Sequence, residues 1–350
     1  MPLSAFSLAG APRGRSAFRC FVHGLLVMSS VFGILCHGIR ARGVTLSENF
    51  ATNPLTRSWR VFGDSSLFSW NSTSQNLAVT WDSSHTNSYY YLPLGTILDR
   101  FDDFSFSFDL RLSDILGGFS PGKPSTFELS IGLLNILNAV KTNYYRGSIP
   151  NSPNLVEFDF FPDTGFGPTI WPSIYSTNGS LNYNGSSDYT IADLPLNVTM
   201  QISMAYSASN RTLTTAILTN GTPVVAVASV SLTSSFKDFR VAAFSISSYS
   251  DAGQGPPAPG SLLAHGIVDN VQVNVPPPPI QNFTAKIVAG QFQGSFVSRT
   301  NWLYSLQRST NFQTWTVISS NNIGTGGPMT LTDSLVPPRQ FFRLAAERPF

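Results

Sequence analysis

Cysteine is almost missing from this chain. Of its 350 residues two are cysteine, Cys20 and Cys36, and both sit inside one N-terminal apolar run. Beyond that run there is no thiol, which excludes a disulfide framework, a thiol nucleophile and a thiolate-held metal together. Histidine is scarce too, and past residue 43 only His85 and His265 remain. A His-rich zinc site is thereby excluded. A Ser–His–acid triad would have to use one of these two, with no Gly-x-Ser-x-Gly elbow to go with it. Charged residues make up 11% of the chain, against about a quarter in an average globular protein. The formal charge of +2 conceals an imbalance, since residues 1–43 hold Arg13, Arg15, Arg19, Arg40 and Arg42 and no acid. The remainder carries 16 basic and 19 acidic residues, a net of −3, so the basic field that nucleic-acid binding needs is lacking. The glycine-rich stretch at Gly324 is followed by no Lys-Ser/Thr and no helical pattern, and reads as a turn rather than a phosphate cradle.

The N-terminal run sets the expected compartment. Arg13, Arg15 and Arg19 precede the apolar residues 20–36, and Ala41 and Gly43 supply small residues where a signal peptidase would need them. This predicts a secretory signal peptide over 1–43 and a secreted or cell-surface protein that is free of the membrane after cleavage. The alternative is a retained anchor, but the run is roughly 17 residues long and broken by His23 and Gly24, at the lower limit for crossing a bilayer. Leu35 is too large for the position before a lipidated Cys36. Asn-x-Ser/Thr sequons begin at Asn71, Asn178, Asn184, Asn197, Asn210, Asn220 and Asn282. In a chain this rich in Ser, Thr and Asn they read as coincidental, and the exporting cell as bacterial.

From residue 44 onward the hydrophobic period is two. Phe104, Phe106, Phe108, Leu110 and Leu112 alternate with polar neighbours, as do Val198, Met200, Ile202, Met204 and Tyr206, and Phe127, Leu129, Ile131 and Leu133. Each pattern is a strand with one buried face. Residues 224–232 read as a further strand, Asn220-Gly221 as a hairpin turn, and residues 133–140 as the one place for a turn or two of helix. Many strands bounded by turns predict an all-β antiparallel sandwich over 44–275. Pro276–Pro279 cannot join a sheet interior and forms a linker over 276–281. Six short strand patterns after it, over 283–288, 291–297, 304–308, 315–318, 329–332 and 340–344, predict a small β-module over 282–350.

The stretch with most chemistry in it is Val156-Glu157-Phe158-Asp159-Phe160. On a strand Glu157 and Asp159 share a face, with Cβ atoms roughly 7 Å apart, while the apolar residues between them enter the core. Such a pair on an open face can ligate calcium, with Asp163 as a further acid, or carry out acid–base work on a glycoside. Otherwise it is a surface pair satisfied by arginine or backbone donors. Trp171 and Tyr175 follow, with Tyr144 before and Tyr183 and Tyr189 beyond. Aromatic faces stack on sugar rings while Asp and Asn bond hydroxyls, which makes Trp171, Tyr175, Tyr144 and Asp159 candidate ligand contacts.

The Val-Glu-Phe-Asp run, followed by the strands at Tyr206–Ile217 and Phe239–Ser245 in that order, resembles the concanavalin A-like lectin/glucanase superfamily, legume-lectin-like or laminin-G-like in type. The resemblance covers residues 44–275 and implies a jelly-roll sandwich, a polysaccharide or glycan partner, and calcium held by Glu157, Asp159 and Asp163. Val268-Asp269-Asn270-Val271 is similar to the closing strand of exported bacterial domains of this kind. Family 16 glucanases place a second Glu four or five positions after the first; here Phe161 and Pro162 stand there. An enzyme of that kind would need Glu157 as nucleophile with a distant carboxylate, Glu128 or Asp109. The expectation is therefore a non-catalytic carbohydrate-binding or adhesive protein, with a glucanase or a purely structural surface protein as alternatives.

Overall fold

The computed structural model describes residues 43–146, 151–178, 189–254, 259–336 and 340–349. The expected leader, all but its last residue, and Tyr183 lie outside them. Among the described residues no helix is long and apolar enough to cross a membrane.

The fold is an antiparallel β-sandwich of the jelly-roll kind. Among the described residues one sheet has ten strands, and its main path runs Thr222–Ala226, Thr212–Thr219, Met200–Ser207, Phe104–Gly117, Gly260–Val275, Asn76–Asp82, Phe68–Asn71. The other has seven, in the order Thr190–Ile191, Thr169–Tyr175, Leu155–Phe161, Leu129–Leu134, Val241–Ser248, Ser88–Leu98, Arg60–Phe62. The alternation seen in the sequence does the joining. Phe106, Phe108 and Leu110 enter the core from the first sheet and Val156, Phe158 and Phe160 from the second, with Phe108 meeting Phe158 edge-on at 6.2 Å between ring centres. Trp59 and Trp81 are core residues, and Trp59 packs on Tyr90 at 5.1 Å.

Two expectations change in detail. Residues 224–232 form not one strand but two short ones, Thr222–Ala226 and Val230–Ser231, both paired to Thr212–Thr219. Between them Ala228 N–H leaves the ladder and donates to Thr190 Oγ1 at 2.9 Å. The apolar stretch over 133–140 is split: Leu133 and Leu134 finish a strand, and a single helical turn, Ile136–Ala139, follows behind the cap Asn135, whose side chain accepts from Leu137 N–H at 3.1 Å. The hairpin at Asn220-Gly221 is as expected, with φ of 50° and 77°, the two positive values that a tight primed turn requires.

After Val275 the prolines leave the sheet and pairing resumes at Ile280. Two three-stranded sheets follow, Ile280–Val288 with Gln291–Ser298 and Pro328–Ser334, and Thr316–Ile323 with Leu303–Ser309 and Phe341–Glu347. They enclose a second core around Trp302, Tyr304, Leu306 and Phe296, and Phe292 stacks on Phe342 with ring centres 4.2 Å apart. The proline carbonyls are used: Tyr304 Oη donates to Pro279 O at 2.6 Å and Arg299 Nη1 to Pro277 O at 2.9 Å.

Candidate functional site

The acidic strand lies near the middle of the seven-stranded sheet, with Leu129–Leu134 on one side and Thr169–Tyr175 on the other. Register sets Asp159 beside Ser130 and Trp171, and Glu157 beside Gly132 and Ser173. The chain over 136–146 crosses this face, above the short side chains of Ser130, Gly132 and Ser173. Gly132 is the tightest point, since a Cβ there would sit 2.4 Å from Val156 O and 2.6 Å from Glu157 Cα. Gly132→Ala is expected to cost about 1–3 kcal/mol through forced backbone shifts, read as a lowered urea midpoint with an unchanged slope.

The crossing segment brings in a residue that the sequence analysis did not name. Arg146, 1% exposed, lies over the acids. Its Nε donates to Glu128 Oε1 at 2.5 Å, its Nη2 donates to Asp159 Oδ2 at 2.6 Å, and the same nitrogen is 3.8 Å from Glu157 Oε2. The guanidinium carbon is 4.7 Å from the Tyr175 ring centre and 5.3 Å from that of Tyr249. Ser130 and Ser173 hydroxyls donate to Asp159 at 2.6 and 2.5 Å, and Tyr249 Oη donates to Glu157 Oε1 at 2.6 Å. Glu157 and Asp159 are both completely buried, so the open acidic face expected from the sequence does not exist. The pair shares a face as expected, but that face is covered.

Burial raises the carboxyls of Glu128 to about 7 and Glu157 to about 8; Arg146 opposes the shift and the neighbouring Asp159 reinforces it. The guanidinium of Arg146, flanked by these acids, is held well above the ordinary arginine value despite its burial.

These residues do not fit calcium. That ion takes six to eight oxygens, whereas Asp159 has both oxygens engaged by Ser130, Ser173 and Arg146, and a guanidinium lies among the carboxylates. Among the described residues no group of three or more acidic, His or Cys side chains is placed to hold a metal ion. The third expected ligand, Asp163, is exposed and turns its carboxylate to Gly165 N–H at 2.8 Å. The ligand set Glu157, Asp159, Asp163 is corrected accordingly. The alternative carboxylates also separate. Glu128 joins the Arg146 cluster, while Asp109 stands on the ten-stranded sheet across the core, accepting from Asn270 Nδ2 at 2.8 Å.

Beside the cluster opens a cleft of about 890 Å³, reached by Trp171, Tyr175, Phe161, Glu128, Arg146 and Asp163. Trp171 is half-buried in its wall between Phe161 and Tyr189, with ring centres at 6.0 and 5.9 Å. Tyr175 forms its floor under the guanidinium. Tyr144 stands elsewhere: it stacks on Tyr249 at 6.3 Å and lines a separate cleft of about 540 Å³ with Asn87 and Tyr145. The arrangement offers an aromatic wall beside a polar, charged floor.

The sequence matches no protein-family model and no curated protein. The structure is similar to solved lectin-fold proteins. Peanut lectin is 12% identical, with 66% of this chain and 99% of that one covered and a TM-score of 0.40. The carbohydrate recognition domain of Emp47p is 11% identical, covering 67% and 97%, with a TM-score of 0.41. Arcelin-5, a lectin-like defense protein from Phaseolus vulgaris, is 11% identical, covering 67% and 99%, with a TM-score of 0.41.

Proposed function

We propose that this chain is an exported, non-catalytic carbohydrate-binding protein whose binding face is the cleft at Trp171. One observation carries the reading, namely that an aromatic wall, Trp171 with Phe161, faces buried polar groups across a cavity large enough for a few sugar rings. A sugar presents an apolar ring face to the first and hydroxyls to the second. Export rests on the arginine-flanked apolar run and the thiol-free remainder. The proposed division is a sandwich over 44–275 that binds and a module over 282–350 that positions it.

The test is a glycan array probed with the chain from residue 44, with and without calcium, beside a reducing-sugar release assay. Retention of a glycan set with no release is the expected result. Trp171→Ala should weaken that retention at least tenfold, a loss of about 1.4 kcal/mol, with thermal stability little changed. No retention on any glycan would turn the reading to a structural surface protein.

A glucanase-type hydrolase is the second reading, favoured by Glu128, a cleft-lining carboxyl raised to about 7 and so suited to give up a proton near neutrality. Against it, Glu157, the expected nucleophile, is fully buried and turned to Tyr249 Oη. Sugar release that Glu128→Gln abolishes would establish that reading instead.

A further inference from the structure

We propose that the cleft at Tyr145 is a second binding site and that it takes an acidic sugar, with a uronate ring against Tyr145 and Phe62 and its carboxylate at Lys141. The segment that crosses the acidic strand has two sides. Arg146 reaches the Trp171 cleft, whereas Lys141, Tyr144 and Tyr145 line this one, of about 540 Å³. That volume is within the range of pre-formed ligand sites.

Four stretches of chain build the cleft, at 62–63, 86–87, 139–145 and 250–253. One side chain ties three of them together: Asn87 Nδ2 donates to Tyr144 O at 2.6 Å, and Asn87 Oδ1 accepts from Ser250 N–H at 2.8 Å. Both aromatic rings are held in place. Phe62 stacks on the buried Tyr89 at 5.8 Å and still keeps 37% of its surface exposed. The Tyr145 ring is seated on Gly253, where φ is 74° and a Cβ would lie 2.9 Å from Tyr145 Cγ. Glycine therefore serves both the backbone angle and the seat of the ring. The exposed Thr86 and Thr142 add hydroxyls to the lining. Fixed rings beside hydroxyls suit a sugar, which has an apolar ring face and a polar edge.

Charge sets the class of sugar. Among the described residues Lys141 is the one charged side chain in the lining, and it is exposed and makes no ion pair with any of them. The acids next to the lining are engaged elsewhere. Asp64, after Gly63, accepts from Ser66 and His85, and Asp251, after Ser250, pairs with Lys123. The Trp171 cleft has the reverse balance, with Glu128, Asp159 and Asp163 against Arg146 alone. A carboxylated sugar is thus met by an unopposed cation here and by excess acid there.

Calorimetric titration of the chain from residue 44 tests this, with trigalacturonate and with its methyl ester as the same sugar without charge. Wild type should bind the acid, less tightly as salt rises. It should bind the ester roughly fivefold more weakly, the scale of one exposed ion pair. Lys141→Gln, an exposed change that leaves the fold intact, should bring the acid down to the level of the ester and leave the ester unaltered. Tyr145→Ala should weaken both. No binding of the acid, equal binding of acid and ester, or acid binding that Lys141→Gln leaves unchanged overturns the proposal. So does acid binding that is lost in Trp171→Ala, which would put the sugar in the other cleft.

Discussion

Arg348→Ala is expected to lower stability by about 3–5 kcal/mol and to expose the tetraproline to proteases. Arg348 is buried at the end of the last described segment and pairs with two acids of the sandwich, Asp99 directly through Nε and Nη2 and Asp102 through Nη1 at 2.7 Å. Arg299 adds a second bond to Asp102 at 2.5 Å, and both guanidinium groups lie against the Trp302 ring, at 5.5 and 5.6 Å. In return the sandwich residue Arg240 donates to the carbonyls of Arg348 and Pro349, at 3.1 and 2.5 Å. Asp102 keeps Arg299 when Arg348 is cut away, whereas Asp99 keeps no cation, and leaving a buried charge alone is what makes breaking such a pair expensive. Asp99 is already raised to about 6 by burial with Arg348 in place, so its protonation would soften the loss at acid pH. Limited proteolysis at neutral pH should then cut at 276–282 in the variant and release a fragment of roughly 230 residues, while wild type resists. Equal cutting of both would mean that the ion pairs hold nothing together.

The sandwich was legible because a strand's period of two writes itself into the sequence. Phe104 to Leu112 alternates in the chain and in burial alike, and the six strand patterns after the prolines all correspond to observed strands. Register followed where turn chemistry was strong, as at Asn220-Gly221. The site was legible only in half. Periodicity put Glu157 and Asp159 on one face, correctly, but a strand pattern carries no information about what folds over that face. The cover comes from a segment without periodicity, whose one mark is a lone arginine after two tyrosines, Tyr144-Tyr145-Arg146. Composition held a second mark: between Lys141 and Arg211 this is the one basic residue. Asp109 and Tyr144 misled for a related reason, since residues with the right chemistry were distributed by topology to the opposite sheet and to a neighbouring cleft.

Stability should fall as pH rises from about 4.5 to about 8, and Glu157→Gln should make that fall shallower up to about pH 7 and remove it from there to about 8. Glu157 faces Arg146 as its one cation, the acids Asp159 and Glu128, and the phenols of Tyr249, Tyr144, Tyr89 and Tyr175. Burial outweighs the arginine, and the carboxyl is raised to about 8, with Glu128 at about 7, against roughly 4.3 in an unfolded chain. A carboxyl that is the weaker acid when folded takes up a proton on folding, so the native state holds more protons and stability declines with pH. Its contribution is complete below the unfolded value and is lost as pH passes through the folded one. Each group contributes a slope of about 1.4 kcal/mol per pH unit inside its window. The two windows overlap up to about pH 7, where Glu128 has given up its proton, and Glu157 alone continues to about 8. Glutamine copies the protonated carboxyl and still accepts from Tyr249, so Glu157→Gln should match wild type near pH 4 and exceed it at pH 8. The measurement is the difference in unfolding free energy between the two proteins across that range. A constant difference would mean that Glu157 is ionised throughout, with Arg146 outweighing the cost of its burial.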